Sequence, residues 1–221
     1  MSLTQHVKSV ATAALALGLS CVLALASLPA FAGSYDDFFV AVRNDRSDQV
    51  DSLIKRGFDP NSRDPKGEPG LLIAAREQSS KVLRTLAEQP GIELDALNPA
   101  GESALMLAAI KGDLKAASLL LDRGAKVNQP GWSALHYAAS GPEPKLVVLL
   151  LGRGAAVNAG SPNGTTPLMM AAQYGSEDSV KALLAGGADA KLRNQLGLSA
   201  ADFARKAERA SLAKQLDAGS R

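Results

Sequence analysis

The sequence predicts an all-α repeat solenoid of about six stacked helix-turn-helix units with β-hairpin loops. Three observations carry that reading. One glycine ladder, Gly67, Gly101, Gly131, Gly164 and Gly197, recurs at spacings of 34, 30, 33 and 33 residues. A second, Gly57, Gly91, Gly124, Gly154 and Gly187, recurs at 34, 33, 30 and 33. Two ladders with nearly one period mark stacked copies of a single unit. The unit itself is clearest over residues 164–190. There Thr166 caps a helix with Pro167 in its first position, where a missing N–H and a fixed φ cost nothing. Leu168, Ala171 and Ala172 give that helix a small apolar face, and Gly175 is expected to end it in the left-handed region. Val180, Leu183 and Leu184 give a second helix the same treatment, stopped by Gly186-Gly187. Helices this short are marginal alone and make sense only if copies stack.

Residues 1–32 read as a signal peptide and 33–221 as the repeat domain. His6 and Lys8 lie in a short polar start, residues 10–28 are apolar, and Ala30-Phe31-Ala32 is an A-x-A site with cleavage expected after Ala32. The rival is an uncleaved membrane anchor, since residues 10–28 are long enough to span a bilayer. Cys21 follows Gly18-Leu19-Ser20, a poor match to a bacterial lipobox. Cleavage would remove that only cysteine and leave His136 as the sole imidazole. Such a chain suits an oxidising compartment and depends on packing rather than disulfides. A periplasmic or secreted location is expected, with no membrane contact once the signal is gone.

The repeats fall at about 34–64, 65–97, 98–128, 129–158, 159–190 and 191–217. In the first, Phe38, Ala41 and Val42 face one way, Val50, Leu53 and Ile54 form the outer helix, and Asp36-Asp37 is an acidic cap. A terminal repeat has one face without a neighbour and is expected to be atypical. The second turns at Asp64-Pro65-Lys66-Gly67, uses Leu71, Ala74, Ala75, Val82, Leu83 and Leu86, and carries one extra residue near Pro90-Gly91. The third has Ser103, Leu105, Ala108, Ala109 and Gly112, then Leu119-Leu120-Leu121 and Gly124-Ala125. Before the fourth, two residues separate Asn128 from Gly131, against five between Asn61 and Gly67 or Asn158 and Gly164. Three residues are missing, so a truncated finger and a local notch are expected. Pro142 stands there for the glycine between helices, and Pro144 suits a helix start. The sixth has Ala200, Ala201, Phe203, Ala204, Leu212 and Leu216, with a Lys-, Arg- and Glu-rich second helix that fits a C-terminal cap.

These units resemble the ankyrin repeat. Its T-P-L-H-x-A signature is matched by Thr166-Pro167-Leu168-Met169-Met170-Ala171 and Ser133-Ala134-Leu135-His136-Tyr137-Ala138. Its G-A-x-V-N tail is matched by Gly124-Ala125-Lys126-Val127-Asn128 and Gly154-Ala155-Ala156-Val157-Asn158. Gly70 stands where the signature has proline. The resemblance covers roughly residues 34–217 and implies recognition of a protein partner through a concave face. It implies a structural role for His136, bonding the backbone between neighbouring repeats. Exported bacterial proteins of this layout are associated either with assisting oxidative-stress enzymes such as catalase or with neutralising toxic effector enzymes as immunity proteins.

The inventory of residues points away from chemistry. With 24 basic and 22 acidic residues and a net charge of +2, the chain has no basic block, and no nucleic acid is expected. A nucleophile device needs a base, and His136 alone is available. There is no H-E-x-x-H spacing for a metal and no G-x-x-x-x-G-K-[ST] for a phosphate. We expect a non-enzyme without cofactor or metal: a monomer that binds a protein, or a membrane-held scaffold if the apolar segment is kept.

A solenoid offers finger tips and the solvent side of its inner helices as a binding surface. The repeat register places Arg43, Arg76, Glu77, Glu102, Ile110, Lys111, Trp132, Tyr137, Gln173 and Tyr174 there. Its N-terminal half is charged and its middle aromatic. Trp132 is the only tryptophan and sits on the shortened finger. Two readings stay open for it: an interface anchor, or a filler of the volume that the missing residues leave.

Overall fold

The computed structural model describes residues 28–219. All of the expected signal peptide except residues 28–32 therefore lies outside the described residues. Twelve helices occur among the described residues: α1 (Leu28–Arg43), α2 (Ser47–Lys55), α3 (Gly70–Glu77), α4 (Ser80–Ala87), α5 (Ala104–Lys111), α6 (Leu114–Asp122), α7 (Ala134–Ser140), α8 (Pro144–Gly152), α9 (Pro167–Tyr174), α10 (Glu177–Ala185), α11 (Ala200–Lys206) and α12 (Ala210–Gly219). Odd-numbered helices form an inner row, each touching the next, and each pairs with the even-numbered outer helix that follows it. Contacts run between neighbouring repeats, the arrangement that stabilises a solenoid.

The core is one continuous apolar seam between the rows. Phe38, Leu71, Leu105, Leu135 and Leu168 are fully buried on successive inner helices, and Val50, Leu83, Leu120, Leu150 and Leu183 on the outer ones. Ser103, Thr166 and Ser199 cap α5, α9 and α11 by accepting the N–H three residues on, as the hydroxyl at that position predicts. Gly57, Gly124, Gly154 and Gly187 close outer helices at φ of 83–97°, so the second glycine ladder is a ladder of left-handed turns.

The fingers are hairpin turns without strands among the described residues; one isolated antiparallel bridge joins Arg63 and Pro69. Asp64 N–H donates to the Glu68 carbonyl at 2.9 Å and Gly67 N–H to the Asp64 carbonyl at 2.8 Å. The same closure recurs at Asn98, Ser161 and Asn194. It is not formed at residues 128–132, where the three missing residues leave too little chain to fold back on itself. Just before the fingers, Asn61, Asn128 and Asn158 each accept an N–H from the next repeat's tail at 2.9 Å and donate to a carbonyl beside it. This gives the asparagine of the G-A-x-V-N tail its role.

Several expectations are corrected. Asp36 and Asp37 cap nothing, because α1 runs unbroken through them. Gly175 ends α9 in extended backbone, at φ −86° and ψ 176°. Its need for glycine is a close approach: a Cβ there would lie 2.1 Å from the Ala139 carbonyl oxygen of the preceding repeat. In the fourth repeat Gly141, not Pro142, ends the inner helix, since α7 stops at Ser140, one residue early. Leu184 is 41% exposed; only Val180 and Leu183 face the core. Gly70 also gains a reason: a Cβ would stand 2.8 Å from the Phe38 ring. The aromatic residue of the terminal repeat fills the place that proline holds in Pro167.

Candidate protein-binding surface

The inner-helix face is built from the ends of α1, α3, α5, α7 and α9 and from the fingers beside them. Its N-terminal half is charged, and the charges pair within the chain. Arg43 lies 2.9 Å from Asp64, whose side chain is buried, and 6.0 Å from the centre of the Phe39 ring. Arg76 makes a two-toothed ion pair with Glu68 and stands 4.0 Å from Glu102. Such fork-to-carboxylate geometry fixes both partners. Glu102 also accepts from Asn98 Nδ2 at 2.8 Å and from the Tyr137 hydroxyl at 3.2 Å. Burial, then the Glu102 charge, pushes the Tyr137 hydroxyl up to about 12, so it stays a donor at any ordinary pH.

The face turns apolar where Tyr137 crosses into the fourth repeat. Ile110, Trp132, His136, Tyr137, Ser140 and Met170 line an open hollow of about 250 Å³. Trp132 is 36% exposed and meets the His136 ring edge to face, with centroids 5.2 Å apart. It leans over the fourth repeat instead of sinking into the core.

His136 is fully buried and holds two repeats together. Its Nε2 is 2.9 Å from the Thr165 carbonyl oxygen, which can only accept, so Nε2 carries the proton. Nδ1 then accepts from Ser133 N–H at 3.2 Å and from the Ser133 hydroxyl at 2.9 Å. Burial pushes its pKa below the usual histidine value, with the Thr165 and Ala159 backbone bonds opposing. The neutral ring is the form these bonds need. Met106 and Met169 occupy the same slot in the third and fifth repeats, each offering sulfur to the capping residue's N–H at 3.4–3.5 Å.

Of the residues the sequence singled out, Ile110, Trp132 and Tyr137 are brought together in the hollow, and Glu102 and Arg76 join them through Tyr137. Arg43 is apart, paired with Asp64. Glu77 and Lys111 are exposed at the ends of α3 and α5. Gln173 and Tyr174 end α9, with Tyr174 61% exposed and outside the hollow's lining. Sequence reasoning missed His136 as lining, and it put Ser140 on this face without singling it out. The signal was there: Ser140-Gly141 is a small pair where the flanking repeats have Ile110-Lys111 and Gln173-Tyr174. Among the described residues no cluster of three or more His, Cys, Asp or Glu could hold a metal, and no helix is long and apolar enough to cross a membrane.

Known proteins share this architecture. A family model described as ankyrin repeats (3 copies) matches residues 38–130 and 126–194. An ankyrin repeat and SAM domain-containing protein 6 of Rattus norvegicus is 37% identical over 159 residues, which are 72% of this chain and 14% of that protein. An ankyrin repeat-containing protein of Treponema pallidum (strain Nichols) is 28% identical over 171 residues, 77% of this chain and 47% of that protein. The chain thus spans less than half of either relative. A chain in the solved complex of a predatory endopeptidase from Bdellovibrio bacteriovorus with an immunity protein superposes with a TM-score of 0.72 and 26% identity, covering 82% of this chain and 97% of that one.

Proposed function

The chain belongs to the ankyrin repeat family, and from that premise we propose that it is a non-catalytic module that binds a protein partner through its inner-helix face. One observation carries the reading. A part-exposed Trp132 overhangs an apolar hollow in the middle of a face where Arg76 is already paired with Glu68 and Glu102. An aromatic anchor ringed by polar contacts that exclude water is the usual make-up of an interface hot spot. The A-x-A site at Ala30-Phe31-Ala32 supports export, with the partner met in the periplasm or outside the cell.

A narrower reading has its own support. The fold superposes on nearly the whole of one chain in a solved complex of an endopeptidase with an immunity protein. We therefore place inhibition of an enzyme ahead of assistance to one.

The test is affinity capture from the envelope fraction of the host cell, with Trp132→Ala and Lys181→Glu run beside the parent chain. A partner retained by the parent and Lys181→Glu, but not by Trp132→Ala, supports the reading. Equal loss in both variants contradicts it. Adding the chain to the captured enzyme then separates inhibitor, by a fall in activity, from helper. Intact mass of the envelope protein checks cleavage after Ala32, and a mass that still includes Cys21 would favour the anchor.

A further inference from the structure

We propose that His136 makes the placement of Trp132, and with it the grip on the protein partner, acid-sensitive: protonation of this ring releases the short fourth finger. The release is a property of the free chain, while its effect on binding rests on the inner-helix-face reading above. Three observations meet at this point. The first is the fastening. Ser133 turns both its N–H and its hydroxyl to His136 Nδ1, at 3.2 and 2.9 Å, while Nε2–H is committed to the Thr165 carbonyl. A proton on Nδ1 makes that acceptor a donor. The hydroxyl can turn round and accept. The Ser133 N–H cannot, and it is left buried against another N–H. The second is the finger. Residues 129–132 have no backbone bond among the described residues, whereas Gly101, Gly164 and Gly197 are bonded within their fingers. Trp132 is therefore placed by Ser133, the next residue, and by the His136 ring that it meets edge to face. The third is the row of capping slots. In the third, fifth and sixth repeats Met106, Met169 and Asp202 take the capping residue's N–H. Thioethers do not titrate, and the Ser199 N–H and hydroxyl hold the Asp202 carboxyl below the usual carboxylate value. Of these four slots only the fourth repeat's changes charge between pH 5 and 7.

Linkage gives the sign. On α7 the other titratable group is Tyr137, whose hydroxyl is bonded to Glu102. The helices packed against α7 bring Lys111 at the end of α5, Glu143 and Lys145 at the start of α8 and Tyr174 at the end of α9, and the fifth finger brings none. No charge enters the ring's pKa: burial lowers it from 6.5, and the Thr165 and Ala159 backbone bonds oppose. An opened finger frees Nδ1 and admits water, so the ring returns towards its ordinary value and binds the proton more tightly than in the closed finger. The ratio of open to closed finger therefore rises by up to about tenfold per pH unit below 6.5, until the closed form is protonated too.

Trp132, the only tryptophan of the sequence, is the reporter. Acrylamide quenching of the whole chain, followed from pH 7.5 to 5 with far-ultraviolet circular dichroism beside it, should rise along a one-proton curve below pH 6.5 while helicity holds. His136→Met installs the side chain that the third and fifth repeats use in this slot, and it should abolish the rise. His136→Gln, an amide that accepts and donates without titrating, replaces it if the Met variant fails to fold. Constant quenching in the parent, the same rise in His136→Met, or a rise that comes only with loss of helicity overturns the proposal. Partner capture at pH 7.5 and 5.5 then separates the two readings. Release at pH 5.5 from the parent but not from His136→Met supports both. If quenching rises in the parent alone while the partner stays bound, the acid release of the finger stands and Trp132 is not the anchor.

Discussion

His136 Nε2 lies 2.9 Å from the carbonyl oxygen of Thr165, 29 residues further along the chain, and this bond fastens the fourth repeat to the fifth. Its loss is expected in His136→Ala, at about 1–3 kcal/mol, because the Ser133 N–H is left buried without an acceptor and the Thr165 carbonyl keeps only the Ser161 N–H. The bond also sets a pH dependence. Burial holds the folded-state pKa below the unfolded 6.5. The unfolded chain therefore takes up the proton first, so the stability is full above about pH 6.5, falls as pH drops below it, and levels beneath the folded value. Urea midpoints from pH 7.5 to 5 should decline in the parent and flatten in His136→Ala. Equal slopes would show that other groups carry the dependence.

Three glycines should respond differently to alanine. Gly175→Ala drives a Cβ to 2.1 Å from the Ala139 carbonyl, a contact with backbone that cannot swing away. Gly186→Ala meets Leu151 Cδ1 at 2.7 Å, the end of a side chain that can turn. Gly152→Ala meets nothing within 4 Å at the end of α8 and should stabilise by up to about 0.5–1 kcal/mol. Thermal midpoints should rank Gly152→Ala above the parent, then Gly186→Ala, then Gly175→Ala. Any other order would mean that the repeats are spaced more loosely than described.

Leu120→Ala should lower stability by about 2–5 kcal/mol, since α6 is packed between α4 and α8 and Leu120 is fully buried. Leu216→Ala, on the terminal α12, should lower it less. Urea denaturation of the pair decides, and an equal or reversed loss would contradict the assignment of α12 as a cap.

Trp132→Ala should change stability little, because the residue is 36% exposed and its ring meets the His136 ring only edge to face. Partner binding should weaken by about 2 kcal/mol or more. Acrylamide should quench the emission of the free protein, and partner should shift it to the blue. Emission already blue and unquenchable would return Trp132 to the role of filler.

Much of the fold was legible because its signals are local. The Thr166 cap and the buried Leu120 depend on residues a few positions apart, and the glycine ladders repeat that local pattern along the chain. The misreadings came where the neighbouring repeat decides. Gly175 is glycine because of Ala139, Gly70 because of Phe38, and Leu184 is exposed although Leu183 beside it is buried. Asp36 looked like a cap because the register put a threonine's place there, while α1 simply continues. On the surface, register placed all ten candidate residues on one face, but the hollow could not be read from it. A hollow is made by what Ser140 and Gly141 leave empty.

The unclosed finger at residues 128–132 makes the array mechanically uneven. At the finger bases, Asn61, Asn128 and Asn158 stitch tail to tail. On the finger edge, Arg63 reaches the Leu97 carbonyl and Gln195 the Asn163 carbonyl, while no backbone bond ties residues 129–132 to either side. An array stitched at the base of each finger but left unclosed at one finger yields first at that finger. That finger carries Trp132, so compliance is concentrated beside the hollow. Amide exchange should report it: Gly131 and Trp132 should exchange faster than Gly101, Gly164 and Gly197, whose N–H groups are bonded within their fingers.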